Sequence, residues 1–178
     1  MAASAMADDA SFVTIGIDRE VFALPVETVV EILDMRPIFR IPEAPAHLKG
    51  LIDVRGRAVP VIDLRTKLGL PSVEADQHTR IIVLDIQMEQ RRLALGLIAD
   101  RVFDVITLNA GQMEPAPDIG TRWNSAYIRG IGRRNDSFVV VLDLARLFSI
   151  DAAHLLNVRG DLPPASGGDS SSSASQAA

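Results

Sequence analysis

The chain has 178 residues, 48% of them hydrophobic but only 4% aromatic, so one ordinary domain or two small ones would be packed mainly by Val, Ile and Leu, which favour strands. Its net charge of −5 speaks against binding nucleic acid through phosphates. The lack of cysteine excludes disulfides, zinc–thiolate sites and thiol catalysis, and fits a reducing compartment such as the cytoplasm. Residues 1–10 read as a disordered leader without the basic and apolar regions of a signal peptide. No run approaches the roughly eighteen apolar residues of a membrane span. Phe12–Ile17 and Val21–Leu24 flank Asp18-Arg19-Glu20 and predict a hairpin. Beyond Pro25, the near-helical spacing of Val26, Val29, Val30 and Leu33 points to a short helix or a curved strand that stops at Pro37. A proline-rich loop then leads to a second hairpin, Leu48–Val54 and Ala58–Ile62, about the turn Arg55-Gly56-Arg57, where Gly56 supplies a positive φ. Asp63 is placed to cap a helical turn over Leu64–Leu68, which Gly69 and Pro71 end. A polar connector follows at 72–79.

The pattern then restarts. Ile81–Ile86 and Arg92–Ile98 form a hairpin, and Val102, Phe103, Val105 and Ile106 answer Val29, Val30, Ile32 and Leu33. Asp100 answers Glu27, and Asp104 answers Glu31. Tyr127–Gly132 and Ser137–Leu142 form a last hairpin around a longer loop, Arg133-Arg134-Asn135-Asp136, and Asp143 caps Leu144–Phe148. Gly130 and Asp143 thus repeat Gly50 and Asp63. Each half supplies about five strands, the number for a small closed barrel without exposed edges. The fold class is all-β with short helices: two intertwined five-stranded barrels within residues 11–150, split near 70–80. A short helix over 151–163 and a disordered Ser/Ala tail over 164–178 complete the chain.

No repeated catalytic group accompanies the repeated strands. His47, His78 and His154 share no ligand spacing and read as surface histidines, and no cofactor motif is present. Asp63 and Asp143 form either an acid/base pair or two caps; capping explains both positions and their recurrence. Gly130-Ile131-Gly132 reads as a close-packing point. Asp53 lines a groove or faces solvent, and Trp123 anchors a partner or plugs the gap between the halves. The Arg55-Gly56-Arg57 tip is either a site for a partner's carboxylate or a solvated turn. Sixteen arginines against Lys49 and Lys67 suit protein interfaces, although a coding bias would account for them equally.

At Leu48–Gly69 the sequence strongly resembles the CheW family, the coupling proteins of bacterial chemoreceptor arrays. The resemblance rests on Leu48, Gly50, Val54, Arg55, Gly56, Pro60, Asp63, Leu64 and Arg65 in the family's spacing, and extends over about residues 11–150. It implies two SH3-like barrels and a non-catalytic adaptor without a cofactor, bridging a CheA-type histidine kinase regulatory domain and the cytoplasmic tip of a chemoreceptor, without membrane insertion. By match to the family's receptor-binding positions, Val29, Glu31, Gly50, Arg55 and Gly56 would line a groove between the barrels. Arg55 and Glu31 would pair with charges at the receptor tip or steady each other. Ile119 is the match for a kinase or ring contact. Asp53 stands where the family usually has Asn, and it would pair with Arg55 or Arg57 and alter receptor preference. An adaptor of a non-flagellar, surface-sensing or motility pathway, or a ligand module using the cleft, are the alternatives.

Overall fold

The computed structural model describes residues 9–116 and 125–160. Ten strands run in the order β1 (Ala10–Ile17), β2 (Glu20–Pro25), β3 (Val29–Asp34), β4 (Leu48–Val54), β5 (Arg57–Asp63), β6 (Arg80–Gln87), β7 (Arg92–Ala99), β8 (Arg101–Leu108), β9 (Ile128–Arg134) and β10 (Ser137–Leu142). Helices follow the last strand of each half: α1 (Leu64–Lys67) after β5, and α2 (Leu144–Leu147) and α3 (Ser149–Gly160) after β10. Ala10, expected to belong to the disordered leader, instead pairs with Leu108, and residues 1–8 of that leader lie outside the described residues. The expected final helix begins earlier, at Ser149. The segment after Pro25 resolves into a single 3-10 turn, Val26–Thr28, and then a strand in which Val30 and Ile32 face outward, so alternation governs there rather than helical spacing.

The strand order is β8-β1-β2-β10-β9 in the first sheet and β3-β6-β7-β5-β4 in the second. The two orders coincide when β6–β10 are taken as copies of β1–β5. Each sheet therefore takes two strands from one repeat and three from the other. A boundary near residues 70–80 thus has strands of both sheets on each side of it. The chain crosses between sheets after β2 and after β7, and within each sheet the strands of the two repeats are joined by a parallel pair, β2–β10 in the first and β5–β7 in the second. The end strands of each sheet are also drawn together, by Glu31–Arg55 across β3 and the β4–β5 turn, and by Asp104–Arg134 across β8 and β9. Two five-stranded sheets that curl until their ends meet are the mostly-β architecture expected from the repeat.

Packing explains why the strands read as nearly continuous apolar runs. Val13, Ile15 and Ile17 of β1 enter a core shared by both sheets, together with Leu84, Leu95 and Leu97. Phe12, on the other face, fills the interior of the first sheet with Val139 and Val141. Ile52, Val59, Val61, Ile81 and Val83 fill the interior of the second. Strands buried on both faces lose the clean alternation of a half-exposed sheet. Helix α3 closes the shared core with Ala152 and Leu155.

The repeat extends to details. Asp63 is buried and accepts hydrogen bonds from the Arg65 N–H at 3.1 Å and the Thr66 hydroxyl at 3.0 Å, while Asp143 accepts from the Arg146 N–H at 3.1 Å. Both are helix caps, not an acid/base pair. Gly130 and Gly132 are close-packing points, since a Cβ would lie 3.1 Å from the Glu114 carbonyl oxygen and 2.6 Å from Leu108 respectively. The final hairpin departs from expectation. Arg134 pairs with Ser137, so its turn is only Asn135-Asp136, as short as Arg55-Gly56, and both residues of each turn have positive φ. The expected longer loop fails because Arg133 and Arg134 are strand residues, held by Phe138 and Asp104.

Candidate functional site

Alternation along the second sheet carries its interior face to an open rim at one end. Each of the five strands places a residue there: Glu31 from β3, Val54 from β4, Arg57 from β5, Asp85 from β6 and Arg92 from β7. Arg55, at the turn, completes the ring. Below the rim, Val54, Val59 and Val83 form an apolar floor continuous with the sheet interior. The rim encloses a cavity of about 390 Å³. Small open apolar basins with a few polar groups at the edge suit recognition of one or two side chains.

The rim charges are organised in pairs. Arg55 donates to Glu31 at 3.2 Å, and Arg92 donates to Asp85 at 3.1 Å. Arg55 remains 82% exposed whereas Glu31 is only 22% exposed, so the carboxylate fixes a guanidinium whose far side is open to a partner. Asp53 is not paired with either arginine. Its carboxylate accepts the Gly56 N–H at 2.7 Å and thereby staples the turn, while its backbone carbonyl accepts from Arg36. An amide oxygen can accept the same bond. Asp53→Asn is therefore expected to move the melting temperature by less than about 2 °C, and Asp53→Ala to cost about 1 kcal/mol in thermal unfolding.

The structure brings Glu31, Asp53, Arg55 and Gly56 together and separates the other expected residues from them. Val29 is half-buried and packs against the shared core. Gly50 is buried beneath the backbone of Phe39. The basin gathering Glu31 and Arg55 is lined by strands of the second sheet. Ile119 and Trp123 lie outside the described residues. The sequence reading missed Asp85 and Arg92; the available signal was a charge at an inward position near each end of the β6–β7 hairpin. His47 is not a plain surface histidine. Its Nε2 lies 2.5 Å from Oδ1 of the buried Asp151.

The quasi-equivalent end of the first sheet is arranged differently. Arg134 takes the place of Val54 and forms a two-pronged ion pair with Asp104, with contacts from 2.9 to 3.2 Å. Thr14 donates to the same carboxylate. The Arg134 guanidinium and the Thr14 hydroxyl together hold the Asp104 carboxyl below the usual carboxylate range. The Phe103 ring lies against Gly16, 3.0 Å from where a Cβ would sit, and Arg134 stacks over it. Among the described residues, no cluster of His, Asp and Glu could hold a metal ion.

A model of the CheW-like domain matches residues 11–152. The chain belongs to the CheW family. Chemotaxis protein CheW of Klebsiella aerogenes is 30% identical over 146 residues, covering 82% of this chain and 86% of that protein. Chemotaxis protein CheW of Bacillus subtilis is 30% identical over 127 residues, covering 71% and 79%. The crystal structure of the scaffolding protein TtCheW from Thermoanaerobacter tengcongensis superposes with a TM-score of 0.70 at 28% identity, over 83% of this chain and 93% of that one. The chain is thus a CheW-like chemotaxis scaffolding protein of a non-catalytic family. That role agrees with carboxylates that cap helices, staple a turn or pair with arginine.

Proposed function

We propose that this CheW-family protein couples chemoreceptors to a CheA-type histidine kinase, with the mouth of the second sheet receiving the cytoplasmic tip of the receptor. The observation that carries this reading is the Glu31–Arg55 pair, which presents an exposed, pre-oriented guanidinium beside an apolar basin. Pre-orientation lowers the entropy lost when a partner binds. The kinase's regulatory domain binds elsewhere on the barrels. The protein works in the cytoplasm and is recruited to membrane-associated arrays; among the described residues, no helix is long and apolar enough to cross a membrane. Contacts of modest strength suffice there, because linked copies supply avidity.

Arg55→Glu tests the reading. The side chain is exposed, so the melting temperature should shift by less than about 2 °C. The substitution places a second carboxylate against Glu31 and reverses the charge offered to the receptor. Co-sedimentation with receptor-containing membranes should be lost. Unchanged co-sedimentation of a folded variant overturns the assignment.

A further inference from the structure

We propose that Arg57 is a specificity-determining residue of the second-sheet mouth: it reads a carboxylate on a partner helix whose neighbouring apolar side chain enters the basin. The proposal rests on the reading of that mouth as the receptor-binding surface and names the chemistry it selects.

Charge bookkeeping around the rim leads to Arg57. Three arginines, Arg55, Arg57 and Arg92, face two acids, Glu31 and Asp85. Both acids are occupied, Glu31 by Arg55 and Asp85 by Arg92. Among the described residues Arg57 has no acidic partner, and it is exposed. Its strand position is inward, on the same face of β5 as Val59 and Val61, so its stem borders the apolar floor. A partner that fills the basin removes water from all three guanidiniums. The two paired ones keep their hydrogen-bonded acids. Arg57 keeps nothing unless the partner brings an acceptor, and a desolvated unpaired charge opposes binding. Discrimination therefore falls on Arg57 more than on Arg55.

The first sheet supplies the contrast. Register places Ser137 where the second sheet has Arg57, since each residue follows a two-residue turn and pairs across it, with Arg134 and Val54 respectively. At that end the Phe103 ring lies against Gly16, and the arginine at the Val54 position is committed to Asp104. Among the described residues, the mouth of the second sheet thus combines an open apolar floor with a cation that lacks an acidic partner, where the corresponding end of the first sheet has Ser137.

The test uses the full chain and membrane vesicles bearing a chemoreceptor, in the native form and as a panel with each Asp or Glu of the cytoplasmic tip changed singly to Arg. Arg57→Ala should weaken association about tenfold, and Arg57→Glu more strongly. Arg57→Lys should recover only part of the loss, because an ammonium lacks the planar fork. One charge-reversed tip should restore binding of Arg57→Glu. If Arg55→Glu abolishes association while Arg57→Ala and Arg57→Glu stay within about twofold of the parent, the role of Arg57 is overturned and the receptor-binding reading stands. If Arg57→Glu weakens binding and no tip reversal restores it, the carboxylate assignment is overturned. If neither Arg55→Glu nor Arg57→Glu changes association, both readings fail together.

Discussion

Asp151→Ala is expected to destabilise the protein by about 3–5 kcal/mol, enough to lower the melting temperature by roughly 10 °C or more. Asp151 sits in the first turn of α3 with its side chain 7% exposed. One carboxylate oxygen takes Lys67 Nζ at 2.7 Å, and the other lies 2.5 Å from His47 Nε2. Lys67 is itself only 9% exposed, so removing the carboxylate strands an ammonium in a place where water cannot replace the partner. The loss should spread. Ala152 and Leu155 lie on the same helix and seal the shared core, so α3 should become the earliest site of limited proteolysis. Replacing both partners, as in Lys67→Met with Asp151→Leu, should recover much of the stability, because a well-packed apolar pair has no charge to desolvate. A double variant as unstable as Asp151→Ala would show that the damage comes from lost shape rather than from the stranded charge.

Gly50→Ala should cost about 3–4 kcal/mol, combining backbone strain with the loss of two hydrogen bonds. The φ of Gly50 is +143°, and a Cβ would lie 2.0 Å from the Phe39 carbonyl oxygen. That oxygen accepts from the Leu51 N–H at 2.8 Å, and the Phe39 N–H donates to the Leu51 carbonyl at 2.8 Å, so the whole crossing segment would have to lift. Gly130, its counterpart, offers a matched control. There a Cβ would meet Glu114 oxygen at 3.1 Å, a distance that a shift of a few tenths of an ångström relieves. Gly130→Ala should therefore cost less than about 1 kcal/mol. Equal melting temperatures for the two variants would refute this account. The comparison also bears on binding: a receptor-association defect in Gly50→Ala should come with a lowered melting temperature, and one in Arg55→Glu should not.

The hairpins were legible because their information is local. Alternation around Asp18-Arg19 and the positive-φ demand met by Gly56 depend on a few neighbouring residues, and so do the caps at Asp63 and Asp143. The repeat was legible for the same reason, since each copy carries its own glycine and cap. Intertwining was expected, but which strands pair across it was not legible. Val140 pairs with Phe22 and Ile62 with Leu97, and nothing in an apolar strand says which distant apolar strand will lie beside it. The second turn was misread because two consecutive arginines resemble solvated loop; Asp104, far off in the chain, turns one of them into a strand residue. Of the candidate site, the Arg55–Gly56 tip and Glu31 were visible, but the other charges of the rim become a group only when five strands converge at one end.

The two crossings between the sheets have a mechanical meaning. One is a single 3-10 turn, Val26–Thr28, and the other is a single residue, Asp100, between β7 and β8. Asp100 is held from both sides, by Arg65 of α1 and by the Asp18 N–H in the β1–β2 turn. Such links leave no slack for a hinge. A load applied to one barrel passes to the other through these two short links and the apolar core that both sheets share. The molecule behaves as a strut, and a displacement delivered at one end arrives at the other with little lost to bending.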